Sequence, residues 1–174
     1  DERGNVITRT DSTGNSIRTE YNSINLPTKT IDQDGNETLL TYDAAGNLLT
    51  VTDALGNQTI YTYNSKGQTE TETDALTHVT TSTYEASGYL TIATNAESES
   101  TSCTYDGVGR LLTLTDPLTH VITYSYDNND NLKTVKNDYN EIITNSYDEN
   151  DNLISVTNHL SETTQYEYDL KNRL

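Results

Sequence analysis

Tyr42-Asp43-Ala44-Ala45-Gly46-Asn47-Leu48-Leu49-Thr50-Val51-Thr52-Asp53-Ala54-Leu55-Gly56-Asn57-Gln58-Thr59-Ile60-Tyr61-Thr62-Tyr63 is the stretch that decides the fold. It holds two Asp-x-x-Gly-Asn pentads, ten residues apart. Asp bonds its own backbone two residues on, Gly takes a positive φ without steric cost, and Asn tolerates the left-handed region, so each pentad reads as a turn. The runs that follow the pentads, Leu48–Thr52 and Gln58–Tyr63, are rich in Leu, Thr, Val, Ile and Tyr and as long as an ordinary strand. Strand, turn, strand, turn predicts a hairpin meander.

The pattern extends outward in both directions. Tyr21, Tyr42, Tyr63, Tyr84, Tyr105, Tyr126, Tyr147 and Tyr168 follow one another at intervals of 21 residues with no insertion or deletion. Four residues after the tyrosine stand Gly46, Gly67, Gly88 and Gly109, giving way to Asp130, Asp151 and Asn172. Six residues after it stand Leu48, Leu90, Leu111, Leu132 and Leu153, with Pro27 and Thr69 as exceptions. These are the structural repeat positions. The chain is therefore expected to be all-β, a single continuous array over residues 1–174 of about eight repeats, each with two antiparallel strands. No segment carries an apolar stripe of helical period, so no helix is expected. Residues two apart share a strand face, which places Tyr61 with Tyr63 and Tyr124 with Tyr126, and Cys103 in a wall position beside Tyr105. Leu48 and Val51 have opposite parity: either the first strand of the repeat carries a bulge or it is apolar on both faces. About five apolar anchors per repeat are expected to be buried. That is too little to order one repeat alone, so neighbouring repeats must stabilise one another, and the outermost strands must be capped, continued or paired.

The formal net charge of −17 makes nucleic acid and anionic membrane surfaces poor partners. The apolar fraction of 32% would by itself suggest disorder, which the regular period argues against. Cys103 is the single cysteine, so no internal disulfide and no Cys-based metal motif is expected. The chain begins at Asp1 without an initiator Met and contains no apolar run of membrane-spanning length; it reads as a segment of a longer chain.

The consensus Y-D-x-x-G-N-L-x-T-V-T-D-x-L-G-N-x-T-x-Y-T resembles the YD-repeat, or RHS-repeat, family over the whole chain. Bacterial RHS proteins, shell components of insecticidal toxin complexes, wall-associated proteins and teneurins belong to that group. The resemblance implies a β-sheet wound into a wide spiral or solenoid, extracellular or on the cell surface, which in some members encloses a C-terminal polypeptide such as a toxin. Family members also often carry a D-P-x-G-L-like core motif and self-cleaving acidic residues. Asp116-Pro117-Leu118-Thr119 lacks that glycine and lies at an ordinary turn position, so no protease role is carried over. The absence of any insertion or deletion departs from shells with variable loops and suits a regular fibre.

No catalytic, cofactor-binding or metal-binding residue is assigned. Asp32 to Glu37, Asp127 to Asn131 and Asp148 to Asn152 set oxygen side chains at alternate positions, as calcium loops do, but lack the closing bidentate Glu; they read first as turn formers. His78 and His120 share one repeat position, and His159 lies in a turn, none beside a second ligand at metal spacing. Tyrosine ladders could stack on sugar rings, although large rings more often form a protein's own packing surface. The sequons at Asn36 and Asn57 fall out of the repeat consensus. The leading expectation is a non-enzymatic structural segment, the wall of a shell around a polypeptide. Its expected partners are further repeats of the same or like chains. A self-assembling filament or adhesin-like fibre is the alternative, and a glycan- or calcium-binding module the weaker one.

Overall fold

Five residues that turn the chain and five or six that extend it, repeated, leave no room for anything but short strands joined by tight loops. The computed structural model describes residues 1–169 and 171–174, and all its strands are antiparallel. The chain divides into two units, Asp1–Ser82 and Thr83–Leu174. In the first, β1 (Thr8–Thr10), β2 (Ser16–Tyr21), β3 (Pro27–Ile31), β4 (Glu37–Tyr42), β5 (Leu48–Thr52), β6 (Gln58–Tyr63) and β7 (Thr69–Thr73) pair in sequence order, and β7 pairs with β8 (Val79–Tyr84), within which the division falls. In the second, β9 (Leu90–Thr94), β10 (Ser100–Tyr105), β11 (Leu111–Thr115), β12 (Val121–Tyr126), β13 (Leu132–Lys136), β14 (Ile142–Tyr147), β15 (Leu153–Thr157) and β16 (Thr163–Gln165) do the same. Among the described residues there is no helix.

Both turns of the repeat have one geometry. In 43–47, turn A of its repeat, the Asp43 N–H donates to the Asn47 carbonyl at 2.9 Å and the Gly46 N–H to the Asp43 carbonyl at 3.2 Å. In 53–57, turn B, Asp53, Gly56 and Asn57 make the same bonds at 2.9 and 3.0 Å. This is a type I turn closed by a residue of positive φ, a common hairpin loop. Gly46 and Gly56 take that residue's φ at 92° and 84°.

The open question of parity is settled by a β-bulge in the strand that follows turn A. Thr41 lies opposite Thr50 and Tyr42 opposite Leu48, so Leu49 is the extra residue. Because Leu40 lies opposite Val51, the bulge returns Leu48 and Val51 to the face of Leu40 and Tyr42. The same shift recurs in β2–β3, β6–β7, β10–β11, β12–β13 and β14–β15.

One expectation is corrected: no described residue is fully buried, and the apolar anchors are at best half-buried. Among the described residues, strands within each unit touch only their neighbours in the sheet, so no other strand of the same unit covers its Tyr and Leu face. In β4 and β6 burial alternates strictly, with Thr38, Leu40, Tyr42, Thr59, Tyr61 and Tyr63 on the better-covered side. Cys103 is likewise half-buried. The opposite face carries threonine pairs beside exposed Leu39 and Ile60: Thr41 bonds Thr50 at 2.7 Å, Thr62 bonds Thr71 at 2.7 Å and Thr104 bonds Thr113 at 2.6 Å across paired strands.

Candidate functional site

In a chain built of equivalent units, the candidate site is the contact between one repeat and the next. The repeat tyrosines from Tyr21 to Tyr147 each end a strand; Tyr42, Tyr105, Tyr126 and Tyr147 lie opposite a leucine of their own repeat, Tyr21 opposite Pro27 and Tyr63 opposite Thr69. The hydroxyl reaches the preceding repeat. Tyr21 donates to the Val6 carbonyl at 2.9 Å, Tyr42 to Pro27 at 2.8 Å and Tyr63 to Leu48 at 2.8 Å. Tyr105 donates to Leu90, Tyr126 to Leu111 and Tyr147 to Leu132, all at 3.0 Å. The β5–β6 ladder stops at Thr50 opposite Ile60, so the Leu48 carbonyl lies beyond it and Tyr63 supplies the missing donor. Tyr84 closes β8, Tyr168 lies outside any strand, and Leu153 opens β15. Burial raises the phenol pKa of Tyr42, and raises that of Tyr105, where Cys103 adds to the effect.

The hydroxyl bond was not readable from motif spacing, because its acceptor is a backbone carbonyl. A signal did exist: the chain has thirteen Tyr and no Phe. A sheet that needed only aromatic bulk would have mixed the two.

The turn carboxylates are committed to the turns. Asp43 Oδ1 accepts the N–H groups of Ala45 and Asn47 at 2.9 and 2.8 Å, and its Oδ2 accepts the Asn47 side-chain amide at 2.8 Å. Asp32 and Asp148 repeat this arrangement, and so does Asp127 with a longer amide contact. The first oxygen of each calcium-like loop is therefore already saturated by N–H donors. The Asn side-chain amides hold Asp32, Asp43, Asp53 and Asp148 below the usual carboxylate range, and the Thr13 hydroxyl with the backbone of Asn15 and Thr13 brings Asp11 to about 2. His78 and His120 replace the turn Asn, each placing Nδ1 at 2.9 Å from its turn aspartate, Asp74 or Asp116. The imidazole pKa of His120 is raised by Asp116. His159 lies 3.7 Å from Glu141.

Turn B shows one more feature. In five repeats its third residue is Leu55, Leu76, Leu118, Tyr139 or Leu160, between 65% and 88% exposed, and in the others it is Thr13, Asp34 or Glu97. The turn does not need an apolar side chain there, since only that residue's N–H is used.

A sequence model of the RHS Repeat family matches residues 42–75, 105–139 and 147–174, more than half of the chain. No curated protein matches. Among solved structures, TcdB2-TccC3-Cdc42 is similar at 15% identity and a TM-score of 0.57, over 98% of this chain and 13% of that one. TcdB2-TccC3-TEV is similar at 16% identity and 0.54, over 95% and 13%. The Photorhabdus luminescens Tc holotoxin pore with a mutated TccC3 is similar at 15% and 0.50, over 90% and 12%. At these identities the likeness is one of fold, and this chain spans about one eighth of the length of the chains it matches.

Proposed function

The chain belongs to the RHS repeat family, and from that premise we propose that it is a structural segment of a larger secreted or surface protein, one continuous array forming part of a wall around a polypeptide. One observation carries this reading. Within its unit, no other strand of the described residues packs on the aromatic and aliphatic face that holds Leu48, Val51, Tyr61 and Tyr63, and none of the four is fully buried. Apolar surface of that extent is stabilised by something laid against it. The opposite face mixes paired threonine hydroxyls with Leu39 and Ile60 and is the more exposed of the two. The turn carboxylates and the hydroxyls of Tyr21, Tyr42, Tyr63, Tyr105, Tyr126 and Tyr147 are engaged in holding the backbone, which supports a structural role over a catalytic one.

The exposed apolar tips of turn B support lateral contact with more protein of the same kind. They suit a wall built of adjacent courses and equally a bundle of fibres. Electron microscopy of the intact native protein separates the two. Closed hollow particles containing a protease-protected polypeptide are the expected result; long uniform threads would replace the wall with the filament.

A further inference from the structure

All repeats have one length and one backbone pattern, so a repeat that paired with the wrong neighbour would keep its ladder hydrogen bonds. Register along the array must therefore be specified by side chains. The fifth residue of turn A is placed to do so, because it reaches across to the fourth residue of turn A in the next repeat. Asn5 donates to Asn25 at 2.9 Å, Asn131 to Asp151 at 2.7 Å and Asn152 to Asn172 at 3.1 Å. Arg110 donates to the Asp130 carboxylate while its Nε holds Asp106 at 2.6 Å. Each of these acceptors, Asn25, Asp130, Asp151 and Asn172, has a positive φ where the repeat otherwise places glycine.

Where the fourth residue is glycine, the fifth residue of the repeat before it fills the space. Leu26 Cδ1 lies 3.5 Å from the position of a Cβ on Gly46, and the Asn47 side-chain oxygen 3.3 Å from that on Gly67. A Cβ on Gly109 would overlap the ring and hydroxyl of Tyr89. The same fifth residues also roof the next repeat's tyrosine: Tyr89 stacks on Tyr105 at 5.0 Å between centroids, and the Arg110 guanidinium lies 4.7 Å from the centre of Tyr126. Tyr89 thus demands glycine ahead of it, Leu26 is in ordinary contact there, arginine takes an acid, and asparagine meets glycine, an acid or another asparagine.

We propose that these two positions form a neighbour-recognition pair that dictates which repeat can follow which, the partner of each turn A being the turn A of another repeat with the matching fourth residue. The pairing rests on the repeat array alone and is indifferent to what the array encloses. Its effect is to penalise a looped-out or exchanged repeat, the characteristic misassembly of tandem arrays. Skipping one repeat would set Tyr89 over Asp130, a ring on a charged side chain already held at positive φ.

Two deletions of equal length test it. Removing residues 127–147 brings Arg110 against Asp151, a matched pair, whereas removing residues 106–126 brings Tyr89 against Asp130, a mismatch. The mismatched deletion is expected to melt at least about 5 °C below the matched one, followed by calorimetry, and Asp130→Gly within it to recover most of the difference. Equal melting temperatures, or no recovery with glycine, overturn the proposal. A double-mutant cycle in the intact chain, Arg110→Ala with Asp130→Ala, gives a reading independent of whether the deletions fold. The double variant is expected to lose less than the sum of the two single losses, and strict additivity overturns the pairing.

Discussion

A tyrosine on a half-buried sheet face can leave its hydroxyl to water or commit it to a carbonyl, and this chain does both within one strand. Tyr63 donates to Leu48, while the hydroxyl of Tyr61 has no hydrogen-bond partner among the described residues. The difference gives a clean comparison, because both rings lie on the same face and both lose the same atom on conversion to phenylalanine. Tyr63→Phe leaves a half-covered carbonyl without its donor and is expected to destabilise by about 1 kcal/mol, lowering the melting temperature by about 2–4 °C. Tyr61→Phe is expected to leave it unchanged within error. A thermal melt followed by far-UV circular dichroism decides the matter, and equal behaviour of the two variants would remove the carbonyl bond as the reason for tyrosine. The spacing of the tyrosines was legible because it is written in side chains. Their acceptors were not, since a backbone carbonyl carries no residue type.

Turns are the elements most plainly written in this chain, and they survive the loss of their most recognisable residue. Glycine is replaced at the fourth position of turn B by Thr77, Ser98, Thr119, Asn140 and Ser161, all at positive φ. The turn holds because its first residue still accepts two N–H groups, as Asp116 accepts those of Leu118 and His120 at 2.9 Å. That device explains why Asp or Asn persists at the first position while glycine does not. It also implies stored strain at Thr119, where a β-branched side chain sits at a φ of 71°. Relief of roughly 1–2 kcal/mol, less roughly 0.5–1 kcal/mol for the extra freedom of glycine in the unfolded chain, leaves Thr119→Gly stabilising by about 0.5–1 kcal/mol. Gly56→Thr is expected to destabilise by a similar amount. Chemical denaturation of the two variants should shift the midpoint in opposite directions, and a shift of Thr119→Gly to lower denaturant would show the turn to be unstrained. The strand after turn A was less legible than the turns. Leu48 and Val51 leave the bulge and the two-faced strand equally open, and only pairing with β4 chooses between them. The expected burial of the anchors failed for a related reason: periodicity shows which residues share a face, not whether another layer covers it.

Across the whole molecule the net charge of −17 and the turn carboxylates act in opposite senses. Like charges strung along the chain repel in the compact state, so added salt at neutral pH should raise the melting temperature modestly by screening. Protonation in acid would relieve the same repulsion, but the turn aspartates reverse the sign. Asp32, Asp43, Asp53 and Asp148 are held below the usual range by the Asn amides beside them, Asp116 by His120, and Asp11 lies at about 2. A carboxyl whose folded pKa is depressed binds its proton more readily in the unfolded chain. Its contribution is therefore complete above the unfolded value of about 3.9 and is lost as the pH falls through the folded one. Because these groups recur in turns along the chain, the losses accumulate. His120 has the opposite sign: its raised pKa adds stability that is complete below about 6.5 and fades as the pH rises through the folded value, a single small term. The expected profile is a plateau near neutrality with a fall in melting temperature that begins near pH 4 and steepens towards pH 2. Melts at fixed ionic strength from pH 7 to pH 2 test it, with Asp43→Asn and Asp53→Asn together as the control. Those substitutions keep an oxygen acceptor at each turn and remove two titrating groups, so the acid slope should flatten; a slope unchanged by them would place the acid sensitivity outside the turns.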